Sequence, residues 1–578
     1  MPLAQLLFFC SIILYTRRNR WIERGLKVMF TVWEQWQRWH AERAYTTLPV
    51  LHKLPLNGAG SKIASWKAAW QDADAYSFVF ESGKGGRYTY LGLHPSSVIQ
   101  GKLQSAQSMD WTGTALEPAE ARRLAHTASW EGTPLDVVRR WMAPYRGPRV
   151  EAGPAWTGGC AGFWGYDVIR TIERLPEIAS DDLGVPDYLF MRMDELWVID
   201  LEEDALYCAA HTTIPEHAAE RELEALYERA VQRVEAMAAY WHARFNDGLQ
   251  PEATGLLTRE ARLSKLASES LTIDVESVAD TFSPFAKEAY ENAVRKIQQY
   301  IGQGDVFQVN LSLRQSKRTA VSPEELYEWL RVVNPSPYMG FLRCPEFQLV
   351  SGSPELLVEL KDGILATRPI AGTRRRGRTP EEDLAMEQEL LNTEKERAEH
   401  IMLVDLERND LGRIASYGSV HVPELMVIER YSHVMHLVSQ VEGKIAEGKD
   451  AFDVIAATFP GGTITGAPKI RTMEIIEELE PTRRGPYTGS MGWIDYCGNM
   501  EFNIIIRTMT VRDGVVHIQA GAGIVIDSIP EREYYESLSK AKALWKAIQL
   551  GERFENQPDV LTKHEDATDT GALSSRLL

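Results

Sequence analysis

The sequence predicts an α+β fold. Strand-like runs and amphipathic helical runs are interspersed along most of its 578 residues, without the strict alternation that a doubly wound parallel sheet would show. SFVFES, RYTYLG and ELWVIDLEEDALYCAA read as strands and hairpins. PEHAAERELEALYERAVQRVEAMAAYWHARF reads as a long amphipathic helix. A composition of 44% hydrophobic and 25% charged residues is that of a globular protein, long enough for one very large domain or for two or three smaller ones.

In order along the chain, LAQLLFFCSIILY is apolar but short of the ~20 residues a membrane span needs. It lacks the basic start and cleavage site of a signal peptide. Residues 1–28 are therefore expected to be a non-native or disordered extension, with Met29 the first residue; the following RRNRWIERGLK leaves a weak membrane anchor as the other reading. Residues 46–244 form a mixed first region. Residues 245–284 are polar and weakly periodic and are expected to be a linker. A second rhythm occupies residues 285–550. It runs helix (YENAVRKIQQYIGQG), strand (VFQVNLSL), helix (PEELYEWLRVVN) and strands (YMGFLRC, FQLVSGSPELLVEL). After a helix around residue 400 come YSHVMHLVSQVEG and VIAATFPGG, then a helix (KIRTMEIIEELE), strands (SMGWIDYC, EFNIIIRTMTV, VVHIQAGAGIVI) and a last helix. The polar tail at 556–578 is expected to be disordered. There is no internal repeat.

The net charge of −18, with no long basic stripe, excludes a general nucleic-acid binder. Five scattered cysteines without metal spacing fit a reducing cytosol, so a cytoplasmic protein is expected. Gly158-Gly159-Cys160-Ala161-Gly162 formally matches a nucleophile elbow, but no downstream H-x-E accompanies it, and Cys160 is read as a small buried residue.

Two distant stretches carry the same device. In EKERAEHIMLVDLERNDLG, Glu396 and Glu399 share a helix face that continues into Leu403 and Leu406. In EREYYESLSKAKAL, Glu533 and Glu536 share a face that continues into Leu544 and Ala547. Carboxylate pairs in line with a buried stripe point inward, where unpaired charge is costly, so a cation between them is expected. A hard, oxygen-liganded ion such as Mg²⁺ is the first choice. Glu355, just after a strand in SGSPELLVEL, is a candidate general acid. The GAG at Gly521, Ala522 and Gly523 is a candidate backbone nest for an anion, with positive charge from Arg507, at the end of an apolar strand, and from Lys540. His436 lies on an alternating strand. His433, His400 and Asp405 are read as structural.

The stretch from about Asp305 to Ala547 resembles the chorismate-utilising enzyme family. The resemblance rests on GDVFQVNLS, NPSPYM, SGSPE, RPIAGTRRRG, ERYSHVMH, PGGTITGAPKIRTMEIIEELEP, RRGPYTGSMGW, IIIRT and QAGAGIVIDSIPEREYYES, taken in order with the acidic helix. FESGKGGRYTYLG and GGCAGFWGYD extend it to the amine-forming members. It implies two facing sheets sheathed by helices, with the site in the cleft between them. It implies that Glu399 and Glu536 ligate Mg²⁺ against a chorismate carboxylate, supported by Glu396 and Glu533. It also implies that Glu355 protonates the leaving C4 hydroxyl, that His436 assists ring chemistry, and that Gly372, Thr373 and Tyr487 contact substrate. Ser82, Pro337, Tyr338 and Met339 match the positions of a tryptophan pocket.

Members that add water at C2 carry a lysine base where this chain has Gln308, and an amide cannot serve as a base. The resemblance therefore implies ammonia as nucleophile, supplied by a separate glutamine amidotransferase. Between the two amine-forming activities, TITGAPK and YTGSMGW resemble the aminodeoxychorismate branch, whereas Ala371 in PIAGT is the residue usual in anthranilate synthases. The first is the favoured expectation and the second stays open. A catalytically silent binding homologue is the alternative of another class; filled acid, metal and anion positions speak against it.

Overall fold

A computed structural model describes residues 31–58, 63, 65–112, 123–246, 258–268, 273–275, 278–430 and 434–554. The expectations for residues 1–28 and 556–578, and for His433, lie outside these residues. Helices form where the apolar period is 3.6: in Lys287–Gln303 the buried side chains are Tyr290, Ala293, Val294 and Ile297, and Gly304 ends the helix in the left-handed conformation.

Among the described residues the strands form two twelve-stranded antiparallel sheets. One runs from Thr47–Pro55 through Ala205–Thr213, Glu195–Asp200, Tyr88–Gly92 and Ser77–Glu81. It continues through Tyr338–Arg343, Gln348–Ser353, Thr508–Arg512, Val515–Ile524 and Gln308–Arg318. The other joins Gly159–Trp164 to Ser490–Asp495 in the same manner. Residues 46–244 and 285–550 thus share both sheets; the stretch between them separates two parts of the sequence, not two bodies in space. Helices such as Glu220–Trp241 and Pro323–Val333 cover the outer face of the first sheet, and Pro134–Met142 and Ala451–Thr458 cover that of the second. Between the sheets lies an apolar layer in which Trp156 and Trp493 stack at 5.4 Å and 3°. Such a stack contributes about 0.5–1.5 kcal/mol beyond its burial. No described helix is long and apolar enough to cross a membrane.

The segment read as a linker differs from that reading. It carries a helix, Arg259–Ala267, capped by the Thr258 hydroxyl. Arg262 is buried there, its guanidinium donating to both carboxylate oxygens of Glu325 at 2.9 and 3.0 Å. An ion pair fixes this helix, and an ion pair leaves no hydrophobic period to read.

A second difference matters more. EFNIIIRTMTV, expected as one strand, is two: Met500–Ile504 belongs to the second sheet and Thr508–Arg512 to the first. Gln348–Ser353 and Leu356–Lys361 likewise belong to different sheets. The chain crosses between the sheets at Pro354–Glu355 and again at Ile505–Arg507. The two crossovers are clamped together: Ile504 N–H donates to the Glu355 carbonyl at 3.0 Å, and Gly352 N–H to the Arg507 carbonyl at 3.0 Å.

The Gly-rich stretch around Cys160 is a central strand, with Cys160 fully buried and its thiol pushed up by burial. Gly162 permits the close sheet: a Cβ there would stand 1.9 Å from the Leu189 carbonyl oxygen. Backbone cannot step aside as a side-chain tip can. Gly162→Ala is expected to destabilise the fold by about 3 kcal/mol, the upper end of ordinary overpacking. Urea denaturation checks this; an unchanged midpoint would refute it.

Candidate active site

The crossovers set the chemistry. Glu355 and Arg507 are the residues at which the chain leaves one sheet for the other, so both side chains enter the cleft between the sheets. Arg507 sits in the left-handed region (φ 50°). They line a cavity of about 590 Å³. Around it the fold gathers Gln308, Gly372, Thr373, Glu396, Glu399, His436, Tyr487, Gly521, Gly523, Glu533, Glu536 and Lys540. Residues spread over more than two hundred positions of sequence thus share one wall.

Ala522 is the exception. It is fully buried on the opposite face of its strand, in the layer under the helices, because successive strand side chains alternate. The GAG is likewise no nest. It lies in the extended strand Val515–Ile524, in register with Asn310, Leu311 and Ser312. Neither Gly521 nor Gly523 has positive φ. The neighbouring strand pairs only as far as Ile518, so beyond it this edge opens to the cavity. The Gly521 carbonyl there accepts from Lys540 Nζ at 2.9 Å. A residue's N–H and C=O point to the same side of an antiparallel strand, so Gly521 and Gly523 also present their N–H groups on this edge. A Cβ at Gly523 would stand 2.2 Å from Gln308 Nε2, so the glycine is what lets that amide reach the cavity.

Glu355 is buried at 8% exposure, and burial pushes its carboxyl up to about 7. The Thr463 hydroxyl, Arg507 and Lys540 oppose that rise. Burial lowers Arg507, with Glu355 acting the other way. No carboxylate lies within ion-pair distance of the Arg507 guanidinium among the described residues, so it is poised for an anion from outside. His436 Nδ1 lies 3.0 Å from the Thr373 hydroxyl. Burial, then Arg507, hold its imidazole below the ordinary range, against the Gly372 backbone and Glu429; it is therefore neutral near pH 7. Gly372 has φ 64°, and a Cβ there would press on Leu390 and on the Glu396 carboxylate. Tyr487 stands beside Arg484, its phenol raised by burial.

The acidic pairs do line the cavity, but the expected inward burial is not what places them. Glu396 bonds Arg374 at 3.0 Å, Glu536 bonds Lys540 at 3.1 Å, and Gln308 Nε2 donates to Glu399 at 3.5 Å. The Glu536 side chain is 55% exposed, facing the open cavity. The second helix is also not continuous: it ends at Lys540 and a new one runs Lys542–Phe554, so Leu544 and Ala547 belong to the next element. Among the described residues no three His, Cys, Asp or Glu side chains converge as a ready metal centre. The donors themselves, four carboxylates on two helices around one cavity, fit a hard divalent cation and not a soft one.

Ser82, Pro337, Tyr338 and Met339 line a second cavity of about 550 Å³. Pro354 and Ile370 belong to the walls of both cavities. The sequence reading missed Thr463, which acts on Glu355, and Glu407, buried at 5% exposure behind it. Glu407 lies on the buried face of its helix with Leu403, Val404 and Leu411, so the apolar period was a signal for it.

Comparison with known proteins bears on these residues. The family model of chorismate binding enzymes matches residues 78–546. The chain is 45% identical over 474 residues to aminodeoxychorismate synthase component 1 of Bacillus subtilis, covering 82% of this chain and 92% of that protein. It is 41% identical over 477 residues to anthranilate synthase component 1 of Acetivibrio thermocellus, covering 82% and 90%. The crystal structure of anthranilate synthase component I from Streptococcus pneumoniae superposes with a TM-score of 0.62 at 33% identity, covering 80% of this chain and 92% of that one.

Proposed function

The chain belongs to the chorismate binding enzymes, and from that premise we propose that it aminates chorismate to 4-amino-4-deoxychorismate. Ammonia is the nucleophile, delivered by a separate glutamine amidotransferase, and Mg²⁺ is required. The observation that carries the reading is Glu355: a buried carboxyl, pushed up to about 7 by that burial, in a polar cavity that it shares with the Arg507 guanidinium. Expulsion of a hydroxyl needs such a proton donor. Gln308, in that cavity, cannot deprotonate water, which favours a nucleophile active without a base.

Arg507, with the N–H edge of Gly521 and Gly523, would bind one substrate carboxylate. Glu396, Glu399, Glu533 and Glu536 would hold Mg²⁺, which when bound neutralises the other carboxylate and fixes the ring. Glu355 then passes its proton to the C4 oxygen, the C4–O bond breaks and water leaves. Ala371, which lines this cavity, cannot form a covalent adduct at C2. A first ammonia would bond C2 as the C4–O bond breaks. A second would bond C4 as the C2–N bond breaks. The ammonium proton returns to Glu355, so the net change is chorismate plus ammonia to product plus water.

Ala371 also favours a second reading, anthranilate formation, in which the nitrogen stays at C2 and pyruvate is eliminated. One incubation separates the two. The purified chain with chorismate, Mg²⁺ and ammonium is expected to yield a product that becomes 4-aminobenzoate only when a lyase is added. Fluorescent anthranilate formed without lyase would overturn the choice. Glutamine in place of ammonium is expected to give no product in the absence of a partner amidotransferase.

A further inference from the structure

The acidic wall of the cavity is held from behind by an arginine that the proposed reaction does not use. Arg374 Nη1 donates to one carboxylate oxygen of Glu396 at 3.0 Å. Arg374 belongs to the strand Ile370–Arg375, where successive side chains point to opposite faces, so Thr373 lines the cavity and Arg374 does not. Two further acceptors hold the guanidinium: the Thr373 carbonyl accepts from Nη1 at 3.0 Å, and Glu389 accepts from Nε at 2.9 Å. Glu389 comes from the helix Pro380–Asn392 and also stands outside the cavity wall. The bare backbone of Gly372 packs close to the second carboxylate oxygen of Glu396. The Arg374 and Glu396 side chains are each 22% exposed and that of Glu389 is 53% exposed, so Glu396 is the more deeply set of the two carboxylates that share the arginine.

Four carboxylates around one cavity repel one another. Three of them are answered by groups of the chain itself: Glu396 by Arg374, Glu536 by Lys540 and Glu399 by the Gln308 amide. A hard cation that draws on these carboxylates has to compete with those groups. Lys540 lies in the cavity wall, where a substrate carboxylate can take it up in turn. Arg374 stands behind the wall, so its grip on Glu396 bears on the ion alone.

We propose that Arg374 is a positioning residue for the cation: it competes with Mg²⁺ for Glu396, and its division between Glu396 and Glu389 sets how tightly the ion is held. Without the ion, Arg374 keeps Glu396 in place against the repulsion of the other carboxylates. With the ion bound, Arg374 yields Glu396 and retains Glu389 and the Thr373 carbonyl. When the ion leaves, Arg374 takes Glu396 back, so the site stays assembled through exchange. Glu389 acts in the opposite sense, because whatever share of the guanidinium it holds is lost to Glu396. The inference rests on Glu396 belonging to the proposed Mg²⁺ site.

The test is Mg²⁺ binding to the full chain by isothermal titration calorimetry, with and without chorismate and in the absence of ammonium, so that no turnover is needed. Arg374→Gln removes the charge and keeps a polar side chain. Its Kd for Mg²⁺ is expected to fall about fivefold, the scale of one partly exposed ion pair. Glu389→Gln is expected to act in the opposite direction and raise the Kd about two- to threefold, since the guanidinium then falls wholly to Glu396. Arg376→Gln breaks a pair with Asp383 and removes the same charge without touching Glu396. It is expected to leave the Kd unchanged, because salt screens exposed charge at a distance. A damaged site would loosen the ion and not tighten it, so the sign separates competition from a merely structural role. Unchanged or weaker Mg²⁺ binding in Arg374→Gln, or equal tightening in Arg376→Gln, would overturn the proposal. If the wild type bound no Mg²⁺ under either condition, the reading of the acidic pairs as a cation site would fall and this inference with it. If the wild type binds the ion and the variants match it, the inference alone falls.

Discussion

Glu355→Gln is expected to lower kcat for chorismate amination by about 10²–10⁴-fold, the range typical of removing a positioned general acid. The amide matches the carboxyl in size and can keep its place beside Thr463 and Arg507, but it has no proton to transfer. The fold should hold, because the crossover is fixed by backbone bonds, Ile504 N–H to the residue 355 carbonyl and Gly352 N–H to the Arg507 carbonyl, which the substitution does not touch. The pH dependence carries the sign. Glu355 acts in its protonated form, and its carboxyl is pushed up to about 7, so wild-type kcat is full on the acid side and is lost as pH rises above that value. The residual rate of the variant should lack this limb. Steady-state kcat measured against pH at constant free ammonia decides the matter. A variant that retained most of the rate together with the wild-type limb would exclude Glu355 as the acid.

The same crossover shows where sequence reasoning stopped. FNIIIRTMTV has no proline or glycine, and its one turn-forming residue, Asn503, lies within the first strand and not at the break, so by local chemistry it is one strand. The break at Ile505–Arg507 is imposed from outside, by pairing of Met500–Ile504 with one sheet and of Thr508–Arg512 with the other. Local pattern was sufficient where a single element buries its own stripe, as in Lys287–Gln303. It was insufficient where burial is bought by ion pairs, as at Arg262 and Glu325, and where a backbone edge is exposed by the end of its neighbour, as at Gly521 and Gly523. Motif resemblance named most of the charged residues on the cavity wall, because each motif names its residues independently of how the chain reaches them, but it did not name Asn310, Thr463 or Gln519. It could not tell that Ala522 faces away, since that follows from strand alternation once the GAG is known to be extended. Glu407 was passed over for a further reason: it shares the helix face of Leu403, Val404 and Leu411, but a carboxylate there reads as solvated until the packed structure shows it 5% exposed.

Removal of a carboxylate from the proposed cation site should have the second large effect. Glu536→Ala is expected to reduce Mg²⁺-dependent turnover by about 10³-fold, since several kcal/mol of charge stabilisation depend on the ion and each 1.4 kcal/mol is a factor of ten. The fold is expected to be untouched. The Glu536 side chain is 55% exposed, and its bond to Lys540 at 3.1 Å is an exposed helix pair of a kind worth about 0–1 kcal/mol. Stability and activity should therefore separate cleanly, with an unfolding midpoint near that of the wild type. Loss of Glu536 also frees Lys540, which already donates to the Gly521 carbonyl. An unneutralised ammonium in the cavity can hold the substrate carboxylate by itself. Chorismate binding should thus weaken less than turnover, and Mg²⁺ should cease to enhance it. Equilibrium dialysis of chorismate with and without Mg²⁺, beside kcat, measures both quantities. If the variant turned over at the wild-type rate with undiminished dependence on Mg²⁺, the cation would have to bind elsewhere, and the acidic pairs would be no more than partners for Arg374 and Lys540.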